Sequence, residues 1–168
     1  MLDARDSLGL ASYGAGNRAH ETSVLEARMA APDPRSGAPD FIDAIPVVPY
    51  SDIRAGHDFL VDVVGLESGG LIEHEGTVIH GEVRAGDRRF WLHAAAGGLT
   101  TPAAADARTG GIVLHVRDVD AHHERTKAAG ATILREPADE DYGQREYGLR
   151  DPEGHDWYIA TPFAAPAL

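Results

Sequence analysis

Two stretches of the chain carry the same succession of apolar and polar positions. In the first, Ile45 to Tyr50 is a short apolar run of strand type, Ser51-Asp52 reads as a helix N-cap, and Ile53 to Val64 has apolar residues at helical spacing before a stop at Gly65. Three short candidate strands follow, Leu71 to Glu75, Val78 to Arg84 and Arg88 to His93, with Gly76 and Gly86-Asp87 at the reversals. In the second stretch Ile112 to Arg117 predicts a strand, Asp118 a cap, Val119 to Ala129 a helix and Gly130 its stop. Thr132 to Leu134, Arg145 to Arg150 and His155 to Thr161 then predict three more strands. Laying Asp118 on Asp52, an offset of 118 − 52 = 66, brings Ala121 onto Ala55, His123 onto His57 and Glu124 onto Asp58, and Gly130 meets Gly65 after a one-residue slip. The repeated order predicts an α+β fold of two βαβββ modules, about 41–94 and 111–163, joined by a small, polar connector over 95–110.

Strand alternation assigns faces. Ile112, Leu114 and Val116 share the aliphatic face expected to pack on a helix, which turns Gly111, Val113 and His115 the other way. By the same alternation Phe90 and Leu92 face the helix while Trp91 and His93 face away, and Tyr158 and Asp156 lie opposite Trp157 and Ile159. Arg145, Tyr147 and Trp157 are assigned to packing. Residues 1–40 read as a flexible N-terminal extension. They are rich in Gly, Ala, Ser and Pro, with one short helix-forming segment over 21–31 and a Pro-rich end.

Composition narrows the function classes. A length of 168 residues with 43% hydrophobic and 25% charged residues suits one globular domain beside the extension. The net charge of −12 argues against nucleic acid and anionic membranes as partners and eases the approach of a cationic ligand. With no cysteine, disulfides, thiolate metal sites and cysteine nucleophiles are excluded. There is no apolar run of membrane-spanning length, and the first thirty residues lack the apolar core of a signal peptide, so the expected compartment is the cytoplasm. No GxGxxG, GxxxxGK[ST] or GxSxG occurs. His74-Glu75 and His123-Glu124 lack the second histidine of a zincin motif and read as surface residues.

The most specific stretch is DYGQREYGLRDPEGHDWYIATP, Asp141 to Pro162. Asp151-Pro152-Glu153-Gly154 is a turn between two strands, since Asp bonds forward to backbone, Pro presets φ and Gly closes the reversal. This stretch resembles the last hairpin of the vicinal oxygen chelate superfamily, the glyoxalase, bleomycin-resistance and extradiol-dioxygenase proteins. The resemblance implies paired modules whose curved sheets surround a ligand cup, and a homodimer. It would place Trp91, His93, His115, Glu146 and Tyr158 in the cup as ligand-binding residues. In metal-dependent members a histidine stands seven places before each helix-capping Asp and a glutamate seven places after the turn Asp. Here those places hold Ile45, Gly111 and Tyr158, so the resemblance is to a member without the standard metal ligands. A non-standard set of His93, His115 and Glu146 has chemistry suited to a divalent metal. The function expected is metal-independent binding of a small organic molecule in the manner of drug or metabolite sequestration, with cationic and aromatic ligands favoured. The alternative is a glyoxalase-like lyase, isomerase or dioxygenase, using either that non-standard metal set or metal-free proton transfer by His115 or Glu146.

Overall fold

Each repeat folds as a four-stranded mixed sheet with a helix on one face. In a computed structural model describing residues 42–163, the first contains β1 (Val47–Tyr50), α1 (Ile53–Asp58, continued by a π-helical turn over Phe59–Val64), β2 (Glu67–His74), β3 (Thr77–Ala85) and β4 (Arg88–Ala94). A short helix α2 (Pro102–Ala105) precedes the second, which contains β5 (Gly111–His115), α3 (Val119–Ala128), β6 (Thr132–Glu140), β7 (Gln144–Arg150) and β8 (Asp156–Pro162). The sheets have matching orders, β1-β4-β3-β2 and β5-β8-β7-β6, each with its first pair parallel and the others antiparallel. The expected extension over 1–40 lies outside the described residues. Among the described residues no helix is long and apolar enough to cross a membrane.

The repeat holds at the level of single bonds. Asp52 Oδ1 accepts from the amide of Ala55 at 3.0 Å and Asp118 Oδ1 from that of Ala121 at 2.9 Å, so both helices start with the same cap. Gly65 and Gly130 follow the helices at φ 86° and 87°, the left-handed region where a side chain is strained. His57 and His123 are both buried, each beside the carboxylate next in sequence. The carbonyls at the end of α1 are satisfied from the other module: Arg125 donates to those of Val63 and Val64 at 3.0 and 2.7 Å, a cation placed where a helix C-terminus favours one.

The helix-side faces of both sheets feed one core. Leu114, Val83, Leu92, Tyr147, Leu149, Trp157 and Ile159 are buried in it, and Phe90 meets the edge of Trp157 at 6.0 Å between ring centroids. Asp151, at the start of the β7–β8 turn, ties the modules together. Its Oδ2 accepts from the hydroxyl of Tyr50 on β1 at 2.6 Å and from the Trp157 indole at 3.2 Å, and its Oδ1 accepts from the amides of Glu153 and His155. Burial, then the Asp151 charge, pushes the Tyr50 phenol well up, so it remains a protonated donor.

Three sequence expectations need correction. The connector carries α2, started by Thr101, whose hydroxyl accepts from the Ala104 amide at 3.2 Å, with Pro102 next. The strand expected over Thr132–Leu134 runs on to Glu140 despite Pro137. It is the edge strand of its sheet, and Pro137 falls within a register irregularity where no ladder bond is required of it. His123 is buried rather than on the surface: with Val119 and Thr126 it forms the inward stripe of α3, and its ring packs edge-on against Tyr147.

Candidate functional site

Across the second sheet Val113, Tyr158, Gly148 and Arg135 are consecutive register partners on β5, β8, β7 and β6, so they stand in one row on the face away from the helix. A cavity of about 680 Å³ opens over this row, within the range usual for organic ligands. Leu134 and Arg135 both line it because the β6 register shifts between Ile133 and Arg135, a bulge that turns adjacent side chains to one side.

Tyr158 is the centre of the wall. Its ring lies so close to Gly111 that a Cβ there would come within 2.5 Å of the ring carbon Cε2, and on the other edge Gly148 leaves 3.4 Å. The guanidinium carbon of Arg135 is 5.8 Å from the ring centroid, and Arg108 Nη2 donates to the phenol oxygen at 2.7 Å. Behind it Asp156, 2% exposed, accepts from Arg108 Nε and Arg150 Nε, both at 2.7 Å. Burial pushes the Asp156 carboxyl up, but the two guanidiniums outweigh that and hold it below the usual carboxylate range. Glu146 is also buried. Its carboxylate takes bonds from Arg135 and Gln144, with the Tyr142 hydroxyl 3.4 Å away.

The five residues singled out from the sequence fall into three places. Glu146 and Tyr158 share the cavity just described. Trp91 and His93 lie on β4 of the other sheet, their rings parallel to within 9° and 6.2 Å apart, with His80 edge-on to both. The Trp91 indole donates to Glu82 at 3.1 Å, so its N–H is satisfied. His115 is exposed near the end of β5; its register partner is Ala160, which in turn faces Glu146, and two strand spacings put His115 about 10 Å from that carboxylate's backbone. Among the described residues no hydrogen bond, ion pair or ring contact joins the Trp91–His93 group to the Tyr158 group.

The donor set does not fit a transition metal. Two of the places where the resemblance led metal ligands to be sought, Gly111 and Tyr158, are filled by one tyrosine ring and the glycine that makes room for it. The non-standard set fares no better: Glu146 is engaged by Arg135 and Gln144, and His93, His115 and Glu146 are dispersed. Among the described residues no three His, Asp or Glu side chains gather in ligating reach of one ion.

Arg108, Arg135, Tyr142 and Gln144 were not legible from the sequence as site residues. Arg108 comes from a connector with no periodicity, and Arg135 from a strand interrupted by Pro137. For Gln144 the signal was there: it alternates with Glu146 on β7, which puts both on one face.

Comparison with known proteins agrees with the fold. An uncharacterized protein of Mycobacterium tuberculosis (strain H37Rv) is 29% identical over 123 residues, 70% of this chain and 72% of that one. Among solved structures, TioX from Micromonospora sp. ML1 superposes with a TM-score of 0.61 at 27% identity, over 73% of this chain and all of that one. The bleomycin-binding protein from bleomycin-producing Streptomyces verticillus, solved with copper(II)-bleomycin, gives 0.55 at 25% identity, over 75% of this chain and 99% of that one. The paired βαβββ modules and their shared caps thus accompany a family-model match over residues 43–159, and the chain belongs to the Glyoxalase/Bleomycin resistance protein/Dioxygenase superfamily.

Proposed function

We propose that this protein binds and sequesters a small organic molecule, an antibiotic or metabolite, in the cavity over the second sheet, and that it does so without a metal. The observation that carries this reading is the Tyr158 ring seated over Gly111, which puts an aromatic contact surface where relatives of the metal-dependent type have donors. The cavity's size, its mixture of apolar and hydrogen-bonding walls, and the superposition on a bleomycin-binding protein support it further. Trp91 and His93 supply a second aromatic surface, on the first module. In a dimer of the kind common in this superfamily, such a surface on one chain would complete the cup of the other.

The test is a metal analysis of purified protein beside a scan for co-purified small molecules. Once a ligand is found, Tyr158→Ala and Trp91→Ala should each weaken its binding by roughly 1–3 kcal/mol. A chelator should leave the melting temperature unchanged, because removal of a bound metal would forfeit its linkage free energy. Stoichiometric metal, lost together with a turnover activity in His93→Ala or His115→Ala, would overturn the reading.

A further inference from the structure

Charge on the cavity wall is sorted by depth. Asp156 and Glu146 keep only 2% and 6% of their side-chain surface, whereas Arg108 and Arg135, which neutralise them, keep 65% and 36%. Glu146 therefore lies at the floor of the cavity, Asp156 sits behind Tyr158 outside its lining, and the two guanidiniums face the opening. Glu146 receives donors on both oxygens, from Arg135 and from Gln144, and Asp156 likewise from Arg150 and Arg108. A cationic group entering this cavity would meet guanidiniums before it met either carboxylate.

Donors, in contrast, are left over. A guanidinium has five N–H groups in a fixed planar fork. Arg108 spends those on Nε and Nη2 on Asp156 and Tyr158, and among the described residues its Nη1 has no protein acceptor. Arg135 directs one hydrogen of each terminal nitrogen to Glu140 and Glu146, and the Tyr142 hydroxyl also bonds to the guanidinium, which leaves one terminal N–H without an acceptor among the described residues. The two arginines meet at one ring: Arg108 at the Tyr158 hydroxyl, Arg135 5.8 Å from the ring centroid. Beside them Val113 and Leu134, 51% and 37% exposed, offer apolar surface to a flat molecule.

We propose that the cavity selects an anionic aromatic ligand, its carboxylate or similar planar oxyanion held between Arg108 and Arg135 and its ring set against Tyr158, Val113 and Leu134. This deepens the small-molecule reading and rests on it. It also reverses the ligand charge expected from the net charge of −12, because a bound group responds first to the charges it touches and only weakly to those beyond a Debye length.

Three probes of one shape and different charge test it by titration calorimetry on the full chain: 2-naphthoate, neutral 2-naphthamide and cationic 2-naphthylmethylammonium. The naphthoate should bind about tenfold or more tightly than the amide, as expected for hydrogen bonds to a charged group. Arg108→Gln should bring the naphthoate-to-naphthamide affinity ratio close to one, even where loss of the bond to Tyr158 weakens both probes, and Arg108→Lys should restore part of that ratio without the planar fork. Equal affinity for all three probes, or preference for the ammonium, would overturn the anion selectivity and leave small-molecule binding standing. Failure of all three to bind at millimolar concentration would overturn both. The wild-type comparison does not depend on the stability of either variant.

Discussion

Replacing Asp151 by Asn changes one buried oxygen to an amino group and almost nothing in volume, so its effect isolates the hydrogen bonds at the junction of the two modules. Asp151 is 4% exposed and accepts four bonds, from Tyr50, Trp157 and the amides of Glu153 and His155. If the new NH₂ group faces Tyr50 and Trp157, the phenol can turn to accept, but the indole N–H, on a side chain with no exposure, loses its acceptor. If it faces the turn instead, two backbone amides lose theirs. A charge-assisted bond contributes about 1.5–3 kcal/mol and a buried orphaned donor costs about 1–3, so Asp151→Asn should destabilise by about 3–5 kcal/mol. That is a large part of the 5–15 kcal/mol typical of a whole domain. Urea unfolding followed by tryptophan fluorescence measures it, since Trp157 sits in the junction. Tyr50→Phe supplies the control: it removes one of the same bonds, so its effect and that of Asp151→Asn should be non-additive in the double variant. An unfolding free energy for Asp151→Asn within about 0.5 kcal/mol of wild type, or strict additivity with Tyr50→Phe, would refute the assignment of this carboxylate as the tie between modules.

Two further outcomes are expected from the structure and one from the proposed function. Leu114→Asp places an unpaired charge in the core and should leave no cooperative unfolding transition, at a cost of several kcal/mol; a well-folded, soluble variant would contradict the register of β5. The Asp156 carboxyl is held below its ordinary value in the folded chain, so its contribution to stability is present above the unfolded pKa and is lost as pH falls through the folded one. Melting temperatures should drop more steeply below about pH 4 for wild type than for Asp156→Asn. Light scattering should give a dimer mass at micromolar concentration, and a monomer mass across a wide concentration range would remove the completed cup of the proposed function.

Element order was readable because each signal was local and physical. Asp52 and Asp118 cap, Gly65 and Gly130 stop, and Asp151-Pro152-Glu153-Gly154 turns, each for a reason confined to a few residues. Alternation then placed Leu114, Phe90, Leu92 and Trp157 on the buried side correctly. The site was less legible because it depends on register between strands distant in sequence. Nothing in the order of residues tells that Arg135 stands opposite Gly148, or that the connector brings Arg108 onto Tyr158 across fifty positions. The sequence does show Trp91 and His93 turned away from the helix, but not that in a single chain they keep company with His80 and Glu82 rather than with Tyr158.

The residues at Gly111 and Tyr158, neither of them a usual metal ligand, are better understood as one feature than as two. With the Tyr158 ring in place, any side chain at 111 would begin 2.5 Å from a ring carbon, so the tyrosine requires glycine there for reasons of space. The backbone does not ask for it: Gly111 is absent from the glycines in the left-handed region. A histidine placed at 111 alone would therefore displace the ring before it could reach an ion, and a glutamate placed at 158 alone would face a glycine with no donor. Arg108 completes the coupling, since its bond to the Tyr158 hydroxyl holds the ring over Gly111 while its other contact neutralises Asp156 two residues away. Tyrosine, glycine and arginine thus form a single structural unit in which the ring's position, the space for it and the charge beside it depend on one another.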